Sequence, residues 1–438
     1  MKPFSFPGNF LFGTATAAVQ IEGGDRNNSW YRWSHVPGRI QDGSTCSIAS
    51  DHWNRIDEDI ALMKKMNQKT YRMGIEWSRI EPHMDVFDRE ALAHYREEIE
   101  KLIAAGIRPM VTLHHFSNPI WIEDSIPWTH PLVIDRFTIY TEYLVRNLGD
   151  LVSDWVTINE PNVYLIFGFL YGQWPPGKRS LPLYCKGAKN MIGAHISAYR
   201  SIHRIRKEMG YHDTRVGVAH HLRVFDPLTD KKADRLVIRL YERMFHDIFV
   251  TGMATGRLLF PAGCGHPFGK GDFQDFFGVN YYTRDMVTFN LRDIAAMTSV
   301  RIGCEINDLG WEIYPEGLYR ICSKYYMRFN KPIFITENGT CDASDRFRTR
   351  YIYDHLYQVH RCIADGIDVQ RYYHWSLLDN FEWAEGLEAR FGLAAVDYET
   401  GKRLLRPSGK FYGDISRELR VTEGMIRRYL KEPLKVKP

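Results

Sequence analysis

The stretch Pro332-Ile333-Phe334-Ile335-Thr336-Glu337-Asn338-Gly339 decides how the rest of this chain is read. Its apolar half has the length and composition of a buried strand. The run stops at a carboxylate, and Asn338-Gly339 then signals a turn. A glutamate in that place contributes little to packing and is well placed for chemistry. Trp155-Val156-Thr157-Ile158-Asn159-Glu160-Pro161 has the same form. Here Pro161 ends the strand pairing, because proline has no N–H to give a ladder. Glu160 and Glu337, each at a strand end, imply paired carboxylates facing one pocket. The plain alternative is two strand-end charges held by arginines. Asn159 before one glutamate and Asn338 after the other favour the functional reading.

Outward from these two stretches the pattern repeats. Apolar runs at 10–18, 70–77, 108–115, 155–159, 215–224, 276–282, 333–336 and 369–377 read as strands. Helical spacing occupies 57–66, 89–105, 133–148, 185–209, 236–250, 316–329 and 349–364. Gly106, Gly149 and Gly210 follow three of these segments as C-terminal stop signals. Strands alternating with helices imply parallel pairing through right-handed crossovers. Eight such units imply the α/β class and one (β/α)8 barrel spanning 1–438. No composition shift or long linker divides the chain, and no short repeat is evident.

In such a barrel catalytic groups sit at the C-terminal ends of the strands. Polar and aromatic residues collect there: Gln20, Arg72, Trp77, His114-His115, Asn159-Glu160, Asn280-Tyr281-Tyr282, Glu337 and Trp375. Asp379, Asn380, Glu382 and Trp383 follow the last strand. Packing alone does not produce that distribution. Adjacent histidines raise the question of a metal, but neighbours on a strand point to opposite faces. No metal and no cofactor are expected.

The bulk composition sets further bounds. The chain has 438 residues, 44% hydrophobic and 25% charged, as ordinary globular proteins do. Fifty-seven basic against 53 acidic residues give a net charge of +4. That balance argues against nucleic acid or an anionic membrane as partner. Seven cysteines without a C-x-x-C pair fit a reduced, cytoplasmic setting. The first residues lack an apolar signal core, and the longest apolar run, 163–170, is far below a membrane span. The composition is compatible with a homo-oligomer. Aromatic residues make up 14% of the chain. Most belong to a core, but rings near strand ends also suit the apolar faces of sugars.

The chain resembles glycoside hydrolase family 1, the β-glucosidase family. The resemblance rests on Phe10-Leu11-Phe12-Gly13-Thr14-Ala15-Thr16-Ala17 with Gln20, and on Tyr71-Arg72 through Trp77-Ser78-Arg79-Ile80. It continues through Thr157-Ile158-Asn159-Glu160-Pro161-Asn162, Gly278-Val279-Asn280-Tyr281-Tyr282 and Ile335-Thr336-Glu337-Asn338-Gly339. It ends at Trp375-Ser376-Leu377-Leu378-Asp379-Asn380-Phe381-Glu382-Trp383. The resemblance implies a retaining β-glycosidase acting on a small β-glycoside or oligosaccharide, most directly a β-glucoside, with β-galactosides and β-fucosides as side substrates. It implies Glu160 as general acid/base and Glu337 as nucleophile. It implies Gln20, His115, Asn159, Trp375, Glu382 and Trp383 as sugar-binding residues. Arg72, Asn280 and Tyr282 would surround the carboxylates, and Trp311 would lie on the aglycone side. Phe116, where many members carry Trp, and Ser117-Asn118-Pro119 depart from the family pattern at that side.

The implied roles are physically coherent. A retaining pair stands about 5–5.5 Å apart, so that one carboxyl attacks while the other protonates the leaving oxygen. Glu337 is expected to be ionised, held by Arg72 and the Tyr282 hydroxyl. Two other readings share the motifs: a transglycosylating β-glycosidase, and a catalytically silent sugar-binding protein. A phosphate-binding barrel would need a glycine-rich loop after strand seven or eight, and none is found.

Overall fold

Eight strands pair in parallel and close on themselves. The computed structural model describes residues 1–290 and 297–430. The barrel strands are β1 (Leu11–Ala15), β2 (Thr70–Gly74), β3 (Arg108–His114), β4 (Asp154–Asn159), β5 (Arg215–His221), β6 (Phe277–Asn280), β7 (Ile333–Asn338) and β8 (Val369–Trp375). Each neighbours the next in sequence order, and β8 closes the ring on β1. The main crossover helices are α1 (Ile56–Lys65), α2 (Arg89–Ala104), α3 (Val133–Leu148), α4 (Leu181–Glu208), α5 (Lys232–Tyr241), α6 (Glu316–Phe329) and α7 (Arg348–Ala364). α8 (Pro407–Glu418) completes the ring. This is the (β/α)8 barrel expected from the alternation.

The strands form because both their faces are buried, one by the barrel interior and one by helices. Every residue of β4 and β7 is buried. α3 turns Val133, Phe137, Tyr140, Leu144 and Leu148 inward, a stripe at helical spacing. The Asp88 side chain caps α2 by accepting from the N–H groups of Glu90 and Ala91. α4 begins before the expected 185, because Ser180 caps it and Pro182 is tolerated in a first turn.

Three expected strands run three residues too far; β1 ends at Ala15, and Ala18 already starts a short helix, Ala18–Ile21. β2 ends at Gly74, and Trp77 starts a short helix, Trp77–Ile80, instead of ending the strand. β5 ends at His221, and Val224–Pro227 leaves the barrel to pair with Arg284–Val287. Ile75 and Trp77 after β2, and Leu222 and Val224 after β5, stay buried, so apolar residues continue where the backbone turns.

The two ends of the barrel differ in kind. At the N-terminal end Asp154 is buried among Arg108, Arg215 and Arg371. That cluster ties β3, β4, β5 and β8 together and lies at the end associated with stability rather than chemistry. At the opposite end the β4–β5 register slips between Val156 and Asn159, and the β7 registers slip beside Glu337. Such irregularities re-aim side chains at a barrel rim. Gly339 lets β7 pass β8: a Cβ there would stand 1.8 Å from the Trp375 carbonyl oxygen.

Candidate active site

A cavity of about 710 Å3 opens at the C-terminal end of the barrel. Glu160, Glu337 and Glu382 line it, with His115, Tyr282, Trp311, Trp375 and Trp383. The two strand-end glutamates therefore share one pocket. Gln20, Arg72, Asn159 and Asn280 are fully buried just behind the wall. Asn159 and Asn280 hydrogen-bond the groups in front of them, and Gln20 donates to Glu382 from behind.

Arg72 is the hub of that layer. Its Nη1 donates to Glu337 Oε1 at 2.6 Å and to the Thr336 carbonyl. Nη2 donates to Asn159 Oδ1 at 2.6 Å, and Nε to Thr112. An arginine only donates, so the Asn159 amide orientation follows: its Nδ2 donates to His115 Nε2 at 2.9 Å. His115 is then the neutral tautomer with hydrogen on Nδ1, and that atom has no partner among the described residues. Burial, and then the Arg72 charge, hold this ring well below the usual histidine range. His114 points the other way, to Asn118 and Trp128. The described residues contain no cluster fit for a metal.

The two glutamates have different surroundings. Both oxygens of Glu337 accept, one from Arg72 and one from the Tyr282 hydroxyl at 2.6 Å. Even so, burial dominates and raises its carboxyl to about 7. Arg72 and Tyr282 pull the other way, while the nearby Glu160 adds to the rise. The charge expected on Glu337 is thus held by Arg72 and Tyr282 against a large desolvation cost.

Glu160 follows β4 in a left-handed conformation, φ 42°, sparsely populated for a residue with a side chain. Pro161 then starts the helix Pro161–Leu165. Glu160 Oε1 accepts from Asn280 Nδ2 at 2.8 Å and pairs with His221 Nδ1 at 3.0 Å. Arg223 Nε donates to His221 Nε2, which makes Nδ1 the protonated nitrogen and the donor to Glu160. Oε1 is therefore saturated with donors. A proton on Glu160 belongs on Oε2.

The residues near Glu382 form the third part. Gln20 Nε2 donates to Glu382 Oε2 at 3.2 Å and to Asn380 Oδ1 at 2.9 Å, while Gln20 Oε1 has no partner among the described residues. Trp375 also hydrogen-bonds Glu382, yet burial and then the Glu385 charge raise the Glu382 carboxyl well above its usual range. Trp383 packs against Trp30, Phe116 and Trp174 and lies 5.8 Å from the His115 ring. Trp311 meets Tyr282 edge-on at 5.9 Å.

Sequence reasoning missed His221 and its support, Arg223 paired with Asp285 at 3.0 Å. Extending strand five to 224 placed His221 inside a strand. Read at its true end, His220-His221 has the same form as His114-His115. Asn338 proves structural: it donates to the Tyr281 carbonyl and Tyr351 and accepts from Tyr372.

Two carboxyls in one buried cavity, with different partners and ringed by aromatic and amide groups, on a (β/α)8 barrel, define a glycoside hydrolase. A profile described as glycosyl hydrolase family 1 matches residues 2–420. The chain belongs to that family and is a β-glycosidase. It is 33% identical to β-glucosidase A of Thermotoga maritima, over 95% of this chain and 98% of that protein. It is 31% identical to a β-galactosidase of Saccharolobus solfataricus, over 96% of each. The solved β-glycosidase from Pyrococcus horikoshii superposes with a TM-score of 0.89 at 34% identity, covering 99% of this chain and all of that one.

Proposed function

We propose that the protein is a retaining β-glucosidase, with Glu337 as nucleophile and Glu160 as acid/base. The observation that carries the assignment is the difference in their partners. Glu337 has a guanidinium and a phenol on its two oxygens, which suits a carboxylate that attacks. Glu160 has one oxygen saturated by Asn280 and His221 and the other free to carry a proton. In the first step Glu337 attacks the anomeric carbon, and the aglycone oxygen leaves with the Glu160 proton. In the second, Glu160 takes a proton from water, which attacks the same carbon and releases Glu337. Glu382, backed by Gln20 and Trp375, is assigned to sugar hydroxyls. His115 Nδ1–H and Gln20 Oε1, both without a partner among the described residues, supply a further donor and acceptor. The whole described chain acts as one catalytic unit, and seven free thiols fit a reducing, cytoplasmic setting.

Preference for an unphosphorylated sugar is part of the proposal. A 6-phosphate would bring two negative charges beside Glu382 and Glu385. The arginines lining the cavity among the described residues are Arg223, committed to Asp285, and Arg243, exposed at the rim. The test is kcat/KM for 4-nitrophenyl β-glucoside and its 6-phosphate, with NMR of the first sugar released. We expect β-glucose first and at least about 100-fold preference for the unphosphorylated substrate, the order of two lost charge-assisted hydrogen bonds. α-Glucose as first product, or preference for the phosphate, would overturn the reading.

The Glu337 carboxyl also predicts a pH dependence. Its value near 7 lies above the ordinary 4.5, so the fold holds the proton more tightly than the open chain does. Its stabilising contribution is therefore complete below about 4.5 and is lost as pH rises through about 7. Activity runs oppositely, because attack needs the carboxylate. The acidic limb of kcat/KM should bend near 7. In Glu160→Gln the limb should move to lower pH, since the neighbouring charge that raises Glu337 is gone. A limb near 4.5 in the unmodified enzyme, unmoved by the substitution, would refute this.

A further inference from the structure

We propose that Arg223 is a positioning residue for acid catalysis: by donating to His221 Nε2 it closes that nitrogen to protons and keeps the acid/base proton on Glu160 Oε2. The inference rests on the reading of Glu160 given above and concerns what directs its proton. Glu160 and His221 are both buried, and Oε1 stands 3.0 Å from Nδ1. When Glu160 is ready to act as an acid, the two side chains hold two exchangeable protons. In the working arrangement one is on Nδ1, donated to Oε1, and the other is on Oε2. A second arrangement has the same count: one proton on Nε2, one between Nδ1 and Oε1, and none on Oε2. The two differ by the passage of one proton from Oε2 to Nε2 through water. In the second, the carboxyl proton is directed to the ring and the leaving oxygen receives none. A neutral imidazole carries its hydrogen on the nitrogen its surroundings select. Asn280 donates to Oε1 in either case, so a further group must choose.

Arg223 is that group. Its Nε donates to His221 Nε2 at 3.1 Å, and a guanidinium cannot accept in return. A hydrogen on Nε2 would point at the hydrogen on Nε. The path of the chain after β5 fixes the arginine. Val224–Pro227 leaves the barrel and runs parallel to Arg284–Val287, with Phe225 opposite Asp285. Asp285 then accepts from Arg223 Nη1 at 3.0 and 3.3 Å. Alternation along that strand turns Arg284 the other way, to Asp226 and Glu312. Two π-helical turns, Ile166–Tyr171 and Glu242–Asp247, follow in the segments beside these residues. Such turns occur often at functional sites. The second carries His246, whose Nε2 accepts from the Arg223 main-chain N–H at 3.1 Å and whose Nδ1 pairs with Glu242. Arg223 is thus held at both its backbone and its guanidinium. Tyr282 stacks on the His221 ring at 5.8 Å, but its hydroxyl is given to Glu337, and Phe245 meets the ring edge-on. Among the described residues no other donor reaches Nε2.

The experiment compares butyl β-glucoside, whose leaving oxygen needs a proton, with 2,4-dinitrophenyl β-glucoside, whose leaving oxygen does not. The proteins are the unmodified enzyme, Arg223→Met, His221→Asn and the double variant. In Arg223→Met we expect kcat/KM to fall about 10-fold or more for the butyl glucoside and less than about 3-fold for the dinitrophenyl glucoside. Asparagine cannot pass a proton between two ring nitrogens. In the His221→Asn background, removing Arg223 should therefore change the ratio of the two substrates by less than about 2-fold. NMR of the His221 ring nitrogens, recognised by their loss in His221→Asn, should show hydrogen on Nδ1 alone in the unmodified protein and on Nε2 in Arg223→Met. Equal losses for both substrates, or the same split in the His221→Asn background, would leave Arg223 only a structural role and overturn the proposal. Hydrogen on Nε2 in the unmodified protein overturns it whether or not any variant folds. Glu160→Gln separates this inference from the reading beneath it. If that substitution spares the butyl glucoside, the acid/base assignment itself falls. If it does not, and Arg223→Met leaves the substrate ratio unchanged, only the role of Arg223 falls.

Discussion

Replacing Glu337 with alanine is expected to abolish turnover and to make the enzyme rescuable by azide. Loss of a covalent nucleophile costs on the order of 10⁵–10⁶ in kcat. The substitution opens a space on the side of the sugar opposite the leaving group. Arg72 keeps acceptors at Thr112, Thr336 and Asn159, so the wall behind that space stays in place. Azide entering there with 2,4-dinitrophenyl β-glucoside attacks the anomeric carbon from the α face. The leaving group departs from the β face, and the product is α-glucosyl azide. The azide is small and anionic, and the guanidinium that faced the carboxylate attracts it. NMR of the product decides the matter. The β-azide would show that the vacated space is not where the nucleophile stood, and Glu337 would lose its role.

Much of this arrangement was legible in the sequence, and the parts that were not share a cause. The β4 and β7 stretches could be read because buried parallel strands are continuously apolar and end abruptly at a charge. The bounds of α3 and α6 follow from their periodicity. Failure came where burial continues through a change of backbone direction. Trp77 is buried and stacks on Tyr140, so its apolar character says nothing of the turn at Gly74. Leu222 and Val224 hid the end of β5 in the same way and took His221 with it. Asn338 failed for a different reason. An amide beside a catalytic carboxylate can face the pocket or the sheet behind it, and a one-residue step along a strand decides which. The two π-helical turns left no pattern to find, since one inserted residue in a helix alters the phase without changing the composition.

Glu160→Gln is the substitution whose effect depends most on the substrate. The amide keeps the shape of the carboxyl. Its oxygen still accepts from Asn280 and His221, which leaves the NH2 where Oε2 stood. Geometry is thus preserved while proton transfer is removed. General acid catalysis contributes about 10²–10⁴-fold when a proton must be delivered to the leaving oxygen. An alkyl glucoside needs that proton, and its kcat/KM should fall by about 10³-fold or more. A 2,4-dinitrophenolate leaves without it, so for that substrate glycosylation should fall less than about 10-fold. Deglycosylation still lacks its base, and kcat should drop for every substrate alike. The glycosyl-enzyme then accumulates, visible as a burst of dinitrophenol equal to the enzyme present. His221 provides an internal control. His221→Asn retains a donor toward Oε1 and should keep the leaving-group dependence of the parent enzyme. His221→Leu frees Oε1 to compete for the proton and should lower kcat/KM chiefly for poor leaving groups. Equal losses of kcat/KM for alkyl and dinitrophenyl substrates in Glu160→Gln, without a burst, would remove Glu160 from acid/base work whatever His221 does.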